Sequence, residues 1–271
     1  MSWIDAIFLG FIQGLTEFLP VSSSGHLVVF QKLLGQLEHD IFFDVVAHVG
    51  TLLAIVLIFK DSLSKTLSPI FAKSPRHEAS IKMLKCIVIA SLPTAILGLL
   101  FKSFFESMFS NLQGVAFAFA FTAIVLFFTL KAKDNRKVFD MTQGLDGMDS
   151  LSYWKALLIG LAQAAAICPG ISRSGLTIAT GLYLHVRKDT ATLFSFLIAI
   201  PAILGAMLIM LIRSPWHLQD LSIYLVGFLS AFVFGYIGLK SLIAMVRKGN
   251  LAIFSFYLVL LSIWCYNGLS F

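Results

Sequence analysis

The sequence predicts an all-α integral membrane protein of six transmembrane helices plus two re-entrant helical hairpins, arranged as an inverted-topology repeat. Three observations predict it: composition, the placement of positive charge, and a likeness between the two halves of the chain. Of 271 residues, 58% are hydrophobic and 13% are charged, with a mean hydropathy of +0.91, whereas a soluble domain carries roughly 25% charged residues. Apolar residues gather into blocks at 40–59, 86–101, 113–130, 191–212, 221–243 and 251–266, most of them near the ~20 residues that a bilayer-spanning helix needs. These are the six spans. The N-terminus lacks the basic start of a cleavable signal, and Glu17 interrupts its first apolar stretch, so the segment is expected to be retained. Cys86, Cys168 and Cys265 show no paired spacing and no accompanying His cluster, which argues against disulfide and zinc chemistry.

The net charge of +6 suggests nucleic acid only until the charges are located. Lys60, Lys65, Lys73, Arg76, Lys82 and Lys85 fall between 60 and 85, and Lys131, Lys133, Arg136, Lys137 and Lys155 between 131 and 155. Arg187 and Lys188 precede the block at 191, and Lys240, Arg247 and Lys248 border the loop before 251. The alternate loops at 102–112 and 213–220 hold only Lys102 and Arg213. By the positive-inside rule the basic stretches face the cytoplasm, and both termini lie outside. Charge here reports orientation, and no nucleic-acid partner is expected.

That orientation fixes the two remaining apolar regions, 3–35 and 153–185. Region 3–35 must start and finish outside, and region 153–185 lies between two cytoplasmic stretches. Both are therefore re-entrant hairpins. Each has a polar break at its middle, Pro20-Val21-Ser22-Ser23-Ser24-Gly25 and Pro169-Gly170-Ile171-Ser172-Arg173-Ser174-Gly175. Non-helical backbone at membrane depth is tolerated only when buried in protein or lining a wet cavity, so the breaks should meet each other or a cavity. An ungapped shift of 150 residues pairs Ala6 with Ala156, Gly10 with Gly160, Gln13 with Gln163, Ser22 with Ser172, Ser24 with Ser174 and Gly25 with Gly175. The repeats run over 1–135 and 150–271, enter from opposite sides, and place a site where the broken helices meet.

The residues of the breaks describe an anion site. Leu19 precedes a proline and so leaves helical geometry; a serine among Ser22, Ser23 and Ser24 can cap a new helix through His26. Pro169-Gly170 stops another helix, and Ser172 or Ser174 can start the next one through Thr177. Two helix N-termini then offer N–H groups and partial positive charge to phosphate or carboxylate. Candidate phosphate ligands are Ser22, Ser24, Gly25, Gly170, Ser172, Ser174 and Thr177, with Arg173 adding a fork-shaped charge. Intramembrane charge is costly enough to point to function for Arg173 and Glu17; the structural alternative is a salt bridge between them. Gln13 and Glu17 share a helix face. His26 lies one turn from Ser23, with a hydrogen-bonded packing role as its alternative. The serines and glycines could equally soften helix ends or permit close packing. Asp44 and His48 share a face near the outer end of a span and read either as interfacial or as supports behind the site's own ligands. The residues alone leave open a secondary transporter or translocase of an anionic or lipid-phosphate substrate, since broken helices at the midplane mark that class.

Gln13-Gly-Leu-Thr-Glu17-Phe-Leu-Pro-Val-Ser-Ser-Ser-Gly-His26 and Pro169-Gly-Ile-Ser-Arg-Ser-Gly-Leu-Thr177 resemble the two signatures of the undecaprenyl-diphosphate phosphatase family, the bacitracin-resistance type. The resemblance covers the whole chain. It implies hydrolysis of undecaprenyl diphosphate to the monophosphate and inorganic phosphate, which recycles the lipid carrier of cell-wall synthesis. It also implies the bacterial inner membrane, with the site opening to the periplasmic side, and a divalent cation, Mg or Ca. Glu17 and Gln13 would hold that cation, although Gln13 stands where other members often carry Glu. Two mechanisms follow: Ser23 as nucleophile activated by His26, or attack by a metal-activated water with His26 as base or acid. In both, Arg173 and the helix N-termini neutralise the diphosphate. The partners expected are undecaprenyl diphosphate and the lipid bilayer, and a homo-oligomer stays open.

Overall fold

The computed structural model describes residues 1–35, 40–71, 77–131, 147–213, 221–248 and 251–268. Twelve α-helices and two short 3-10 segments, at 129–131 and 147–150, make up the helical structure of the described residues, with no strand among them. In chain order they are α1 (Trp3–Phe18), α2 (Ser23–Leu33), α3 (Ile41–Ile58), α4 (Lys60–Phe71), α5 (His77–Leu100) and α6 (Lys102–Phe109). The second set comprises α7 (Leu112–Phe128), α8 (Tyr153–Ala165), α9 (Arg173–Tyr183), α10 (Lys188–Arg213), α11 (Leu221–Lys248) and α12 (Ile253–Gly268).

Side-chain caps set the starts of α1, α2, α3, α7 and α9. Ser2 and Asp5 form a reciprocal capping box on α1, with Asp5 N–H donating to Ser2 Oγ at 3.2 Å and Ser2 N–H to Asp5 Oδ2 at 2.8 Å. Asp40 caps α3 by accepting from Phe43 N–H at 2.8 Å, and Asn111 caps α7 by accepting from Gly114 N–H at 2.9 Å. Both regions 3–35 and 153–185 are helix–break–helix units, α1 with α2 and α8 with α9.

α3, α5, α10 and α11 are long and apolar enough to cross a membrane, and α6 with α7 adds a fifth crossing if that pair, bent by 98°, is one span. α12 is apolar but only 16 residues long. The protein is thus a multi-pass helical membrane protein. Ile4 at 78% exposure, Ile212 at 74% and Leu100 at 72% present apolar surface of the kind that only lipid or a partner covers. Two helices occupy stretches expected as loops. α4 continues from the end of α3, and α6 is braced by an i,i+4 pair, Lys102 Nζ to Glu106 Oε1 at 3.2 Å. α5 also begins earlier than the apolar block at 86, because its first turns carry polar residues; there Lys82 Nζ donates to Met148 O at 2.6 Å. Lys73, Arg76, Lys133, Arg136 and Lys137 of the basic stretches lie outside the described residues.

Packing exchanges partners between the halves: α1 lies on α11 and α8 on α5, while α7 packs on α12 and α3 on α10. Small residues permit these close seams. A Cβ on Gly10 would sit 2.5 Å from Gly227 O, and one on Gly160 only 2.3 Å from Ala90 O. The Gly160 seam yields a test. Gly160→Val places a branched side chain against backbone that has no rotamer to give, so the protein should lose about 1–3 kcal/mol and melt earlier in detergent. Gly205→Ala, where a Cβ would meet nothing within 4 Å, should melt with the wild type. Equal melting of both variants would overturn the α8–α5 seam.

Candidate active site

The breaks of the two hairpins meet. Ser22, the N-cap of α2, adopts φ 68°, a left-handed conformation that costs a non-glycine residue about 1–3 kcal/mol. Its Oγ accepts from Gly25 N–H at 3.3 Å in its own hairpin and from Gly170 N–H at 3.1 Å in the other. Gly170 has φ 95° and no room for a side chain, since a Cβ would lie 2.6 Å from Val115 O. Thr122 of α7 closes the second break: its Oγ1 donates to Gly170 O at 3.0 Å and accepts from Ser172 N–H at 3.2 Å. Ser172 in turn caps α9 by accepting from Gly175 N–H at 3.0 Å. Ser174 Oγ returns to the first hairpin by donating to Leu19 O at 3.2 Å. Several backbone groups freed by the breaks, among them Gly170 N–H and C=O, Ser172 N–H and Leu19 C=O, thereby find partners within protein.

Glu17 stands at the centre of this junction, 7% exposed. Its Oε1 forms the ion pair with Arg173 Nη2 across the two hairpins. Its Oε2 accepts from Ser23 Oγ at 2.6 Å and from Gln13 Nε2 at 3.0 Å, and lies 3.3 Å from His48 Nε2. Arg173 is held further by Nη1 donating to Ser195 O at 3.2 Å. Those contacts use two of the five N–H donors of a guanidinium. The salt bridge proposed as the structural alternative for Glu17 and Arg173 is therefore present, and it joins the candidate site rather than replacing it.

A cavity of about 560 Å³ opens from this cluster, within the ~300–1,000 Å³ range of ligand pockets. Glu17, Ser22, Ser23, Ser24, His48, Ser172 and Arg173 form its polar end. Its remaining wall is mostly apolar, with Ala95, Gly98 and Leu99 of α5 facing Ala202, Ile203, Ala206, Ile209 and Met210 of α10. α2 and α9 begin at residues that line the polar end, so the positive ends of two helices flank it. An anionic headgroup on an apolar tail matches both parts.

Not every predicted residue reaches the cavity. Gln13, Gly25, His26, Gly170, Ser174 and Thr177 stand behind its walls. Thr177 Oγ1 donates to Arg173 O at 2.7 Å and pairs with Ser195 Oγ at 2.6 Å, which fixes the turn that presents Arg173. His26 does not meet Ser23: its Nδ1 bonds Ser22 O at 2.7 Å and its Nε2 bonds Tyr257 Oη at 2.7 Å. Of the two readings of His48, interfacial or supporting the site's ligands, the structure fits the second: the ring lies against Glu17, with its Nδ1 on Asp44 O at 2.6 Å. Both of its nitrogens face acceptors, so a ring with an N–H on each side satisfies both. The sequence signal was the Asp44–His48 face; what it lacked was the register of α3 against α1. Thr122, Ser195 and Tyr257 carry no signal in sequence, because each is one hydroxyl or carbonyl on an apolar helix.

For a divalent cation, the relevant observation is Gln13. A carboxylate can only accept, so the contact with Glu17 Oε2 orients the Gln13 amide and leaves its Oε1 buried without a hydrogen-bond partner. That oxygen and the Glu17 carboxylate are hard donors of the type Mg or Ca takes. Among the described residues no three His, Cys, Asp or Glu side chains gather as a metal cluster, so the rest of the shell would have to come from phosphate oxygens and water.

The fold and site define a multi-pass helical membrane protein with a pocket, polar at one end, beside the breaks of two helix–break–helix units. The chain belongs to the bacitracin resistance protein BacA family, whose model matches residues 6–264. It is similar to the undecaprenyl-diphosphatase of Carboxydothermus hydrogenoformans, 38% identical over 97% of this chain and 96% of that one. The undecaprenyl-diphosphatase of Desulfosudis oleivorans is 41% identical over 96% of each chain, and that of Syntrophotalea carbinolica 38% identical over 100% of this chain and 98% of its own.

Proposed function

We propose that this protein hydrolyses undecaprenyl diphosphate to undecaprenyl phosphate and inorganic phosphate, recycling the lipid carrier of cell-wall synthesis and conferring bacitracin resistance. Family membership supports the activity. The observation that carries the site is the Ser23 hydroxyl 2.6 Å from a carboxylate oxygen of Glu17, whose other oxygen pairs with Arg173. Ser23 Oγ attacks the terminal phosphorus, and its proton passes to Glu17 Oε2, the acceptor already in place. The bond from phosphorus to the bridging oxygen breaks as Arg173 and the N-termini of α2 and α9 stabilise the charge on the phosphoryl oxygens. Glu17 hands the proton to the departing undecaprenyl phosphate; water then splits the phosphoserine and releases phosphate. The first isoprene units lie between α5 and α10, and the rest of the tail in the bilayer.

Glu17 and Gln13 would hold a divalent cation, Mg or Ca, which when bound supplies charge neutralisation of the diphosphate. Arg173 and His48 beside the same carboxylate oppose a second cation, so the substrate's own negative charge must accompany it. The architecture proposed is six spans with two re-entrant hairpins in inverted repeats, 1–135 and 150–271; the exchanged packing of α1 on α11 and α8 on α5 supports it. At 17 residues and about 1.5 Å each, α7 spans about 25 Å, near the lower limit for a crossing. The protein sits in the bacterial inner membrane with its site open to the periplasm. A cysteine at Lys73 should resist an impermeant reagent in intact cells, and strong labelling there would reverse the orientation.

Phosphate release by purified protein in detergent separates hydrolysis from transport, which has no compartment to act on. Arg173→Lys keeps one charge but loses the planar fork, so turnover number and specificity constant should fall together by about 10²-fold, with the Michaelis constant nearly unchanged. Ser23→Ala should be at least as severe. Near-normal turnover in Arg173→Lys would return Arg173 to a helix-pairing role, and a mild Ser23→Ala would favour attack by water.

Chelation should abolish activity, as should Glu17→Gln, while Gln13→Ala is expected to do less because an amide oxygen is the weaker ligand for a hard cation. Full activity in the presence of excess chelator would remove the metal from the scheme.

A further inference from the structure

His26 has a bonding pattern that assigns it work other than proton transfer at Ser23. The ring is 2% exposed. Its Nδ1 lies 2.7 Å from Ser22 O, and a carbonyl can only accept, so Nδ1 carries the hydrogen. In the neutral ring Nε2 is then the acceptor, and the Tyr257 hydroxyl at 2.7 Å donates to it. The only lone pair of the ring is spent on Tyr257. The Ser23 hydroxyl turns the other way, to Glu17.

The surroundings of the ring reinforce this arrangement. The Tyr257 ring lies nearly parallel to it, 13° between planes and 5.8 Å between centres, and Phe119 meets it edge-on at 5.5 Å and 75°. Phe119 can approach because residue 25 is glycine: a Cβ there would lie 2.6 Å from the Phe119 ring. α12, which packs on α7, thus reaches the first hairpin directly through Tyr257. The carbonyl that His26 grips belongs to Ser22, the residue at φ 68°, and the same carbonyl takes His26 N–H at 3.2 Å. Holding that carbonyl holds the unfavourable backbone turn. The turn in turn aims Ser22 Oγ at Gly170 and sets the direction of Ser23, the next residue.

We infer that Tyr257 and His26 are positioning residues: the Tyr257 hydroxyl fixes the neutral His26 ring, which clamps the Ser22 carbonyl and so orients Ser23 toward the phosphate site. The inference rests on the phosphatase reading, and the wild-type assay tests that reading first: without phosphate release from undecaprenyl diphosphate, the reading itself fails before any variant is made.

The experiment is steady-state hydrolysis of undecaprenyl diphosphate by Tyr257→Phe, His26→Gln, His26→Ala and the double variant Tyr257→Phe/His26→Ala, each checked for folding by melting in detergent. Loss of one hydrogen bond should lower the turnover number of Tyr257→Phe by about tenfold, with the Michaelis constant unchanged, because the phosphate ligands stay in place. Tyr257→Phe should add nothing in the His26→Ala background, since the tyrosine acts only through the ring. His26→Gln keeps an N–H within reach of the Ser22 carbonyl but cannot serve as a base, so it should retain turnover within about tenfold of wild type. Three results would each overturn the inference: normal turnover in Tyr257→Phe, an undiminished Tyr257→Phe effect without His26, or a fall to background in folded His26→Gln, as removal of a general base costing about 10²–10⁴-fold would give. If Tyr257→Phe does not fold, the His26→Gln result decides alone.

Discussion

A single charge placed at membrane depth costs at least ~2.5–3.5 kcal/mol, and the buried Glu17 and Arg173 answer such a cost with each other. Glu17 ends the first helix of one hairpin and Arg173 begins the second helix of the other, so their pairing is possible only when both breaks face inward at the same depth. The rest of the junction follows from it. Ser22 and Gly170 exchange backbone partners across the same gap, Thr122 closes the second break from α7, and Ser174 reaches back to Leu19. Without Arg173, Glu17 would be left with His48 as its cationic neighbour, and without Glu17, Arg173 would be left with the Ser195 carbonyl.

The two hairpins share a shape but not a chemistry. In the 150-residue register Gln13 faces Gln163 and Ser22 faces Ser172, yet Glu17 corresponds to Ile167, Ser23 to Arg173 and His26 to Leu176. One hairpin therefore brings the carboxylate, the hydroxyl and the imidazole, and the other brings the guanidinium. The paired glutamines also diverge in use. Gln13 donates to Glu17, whereas Gln163 donates to Thr94 Oγ1 and Ile198 O, both at 3.3 Å. Each leaves a buried carbonyl oxygen without a partner. Of the two, the Gln13 amide is the one bonded to a carboxylate, whose oxygens are the second hard ligand a divalent cation would need.

Much of this was legible in the sequence, for physical reasons that differ by residue. Hydropathy and the Pro, Gly and Ser runs located both helix–break–helix units, because a break at membrane depth needs residues that cap and turn. The costliness of buried charge singled out Glu17 and Arg173. Local spacing misled at His26, where one turn of helix brings it near Ser23 in sequence but the ring rotates to Ser22 O and Tyr257. It also undervalued His48, since nothing in α3 alone tells which helix its face will meet. α4 and α6 escaped because short amphipathic helices in polar stretches carry no signal in a hydropathy profile.

The apolar wall between α5 and α10 sets the terms on which a ligand can arrive. A molecule whose tail partitions into lipid does not sample this pocket from bulk water. It approaches in two dimensions, and the quantity that governs occupancy is its mole fraction within the leaflet. Dilution of the surrounding lipid would empty the pocket as surely as dilution of the ligand, so the state of the membrane enters as a concentration.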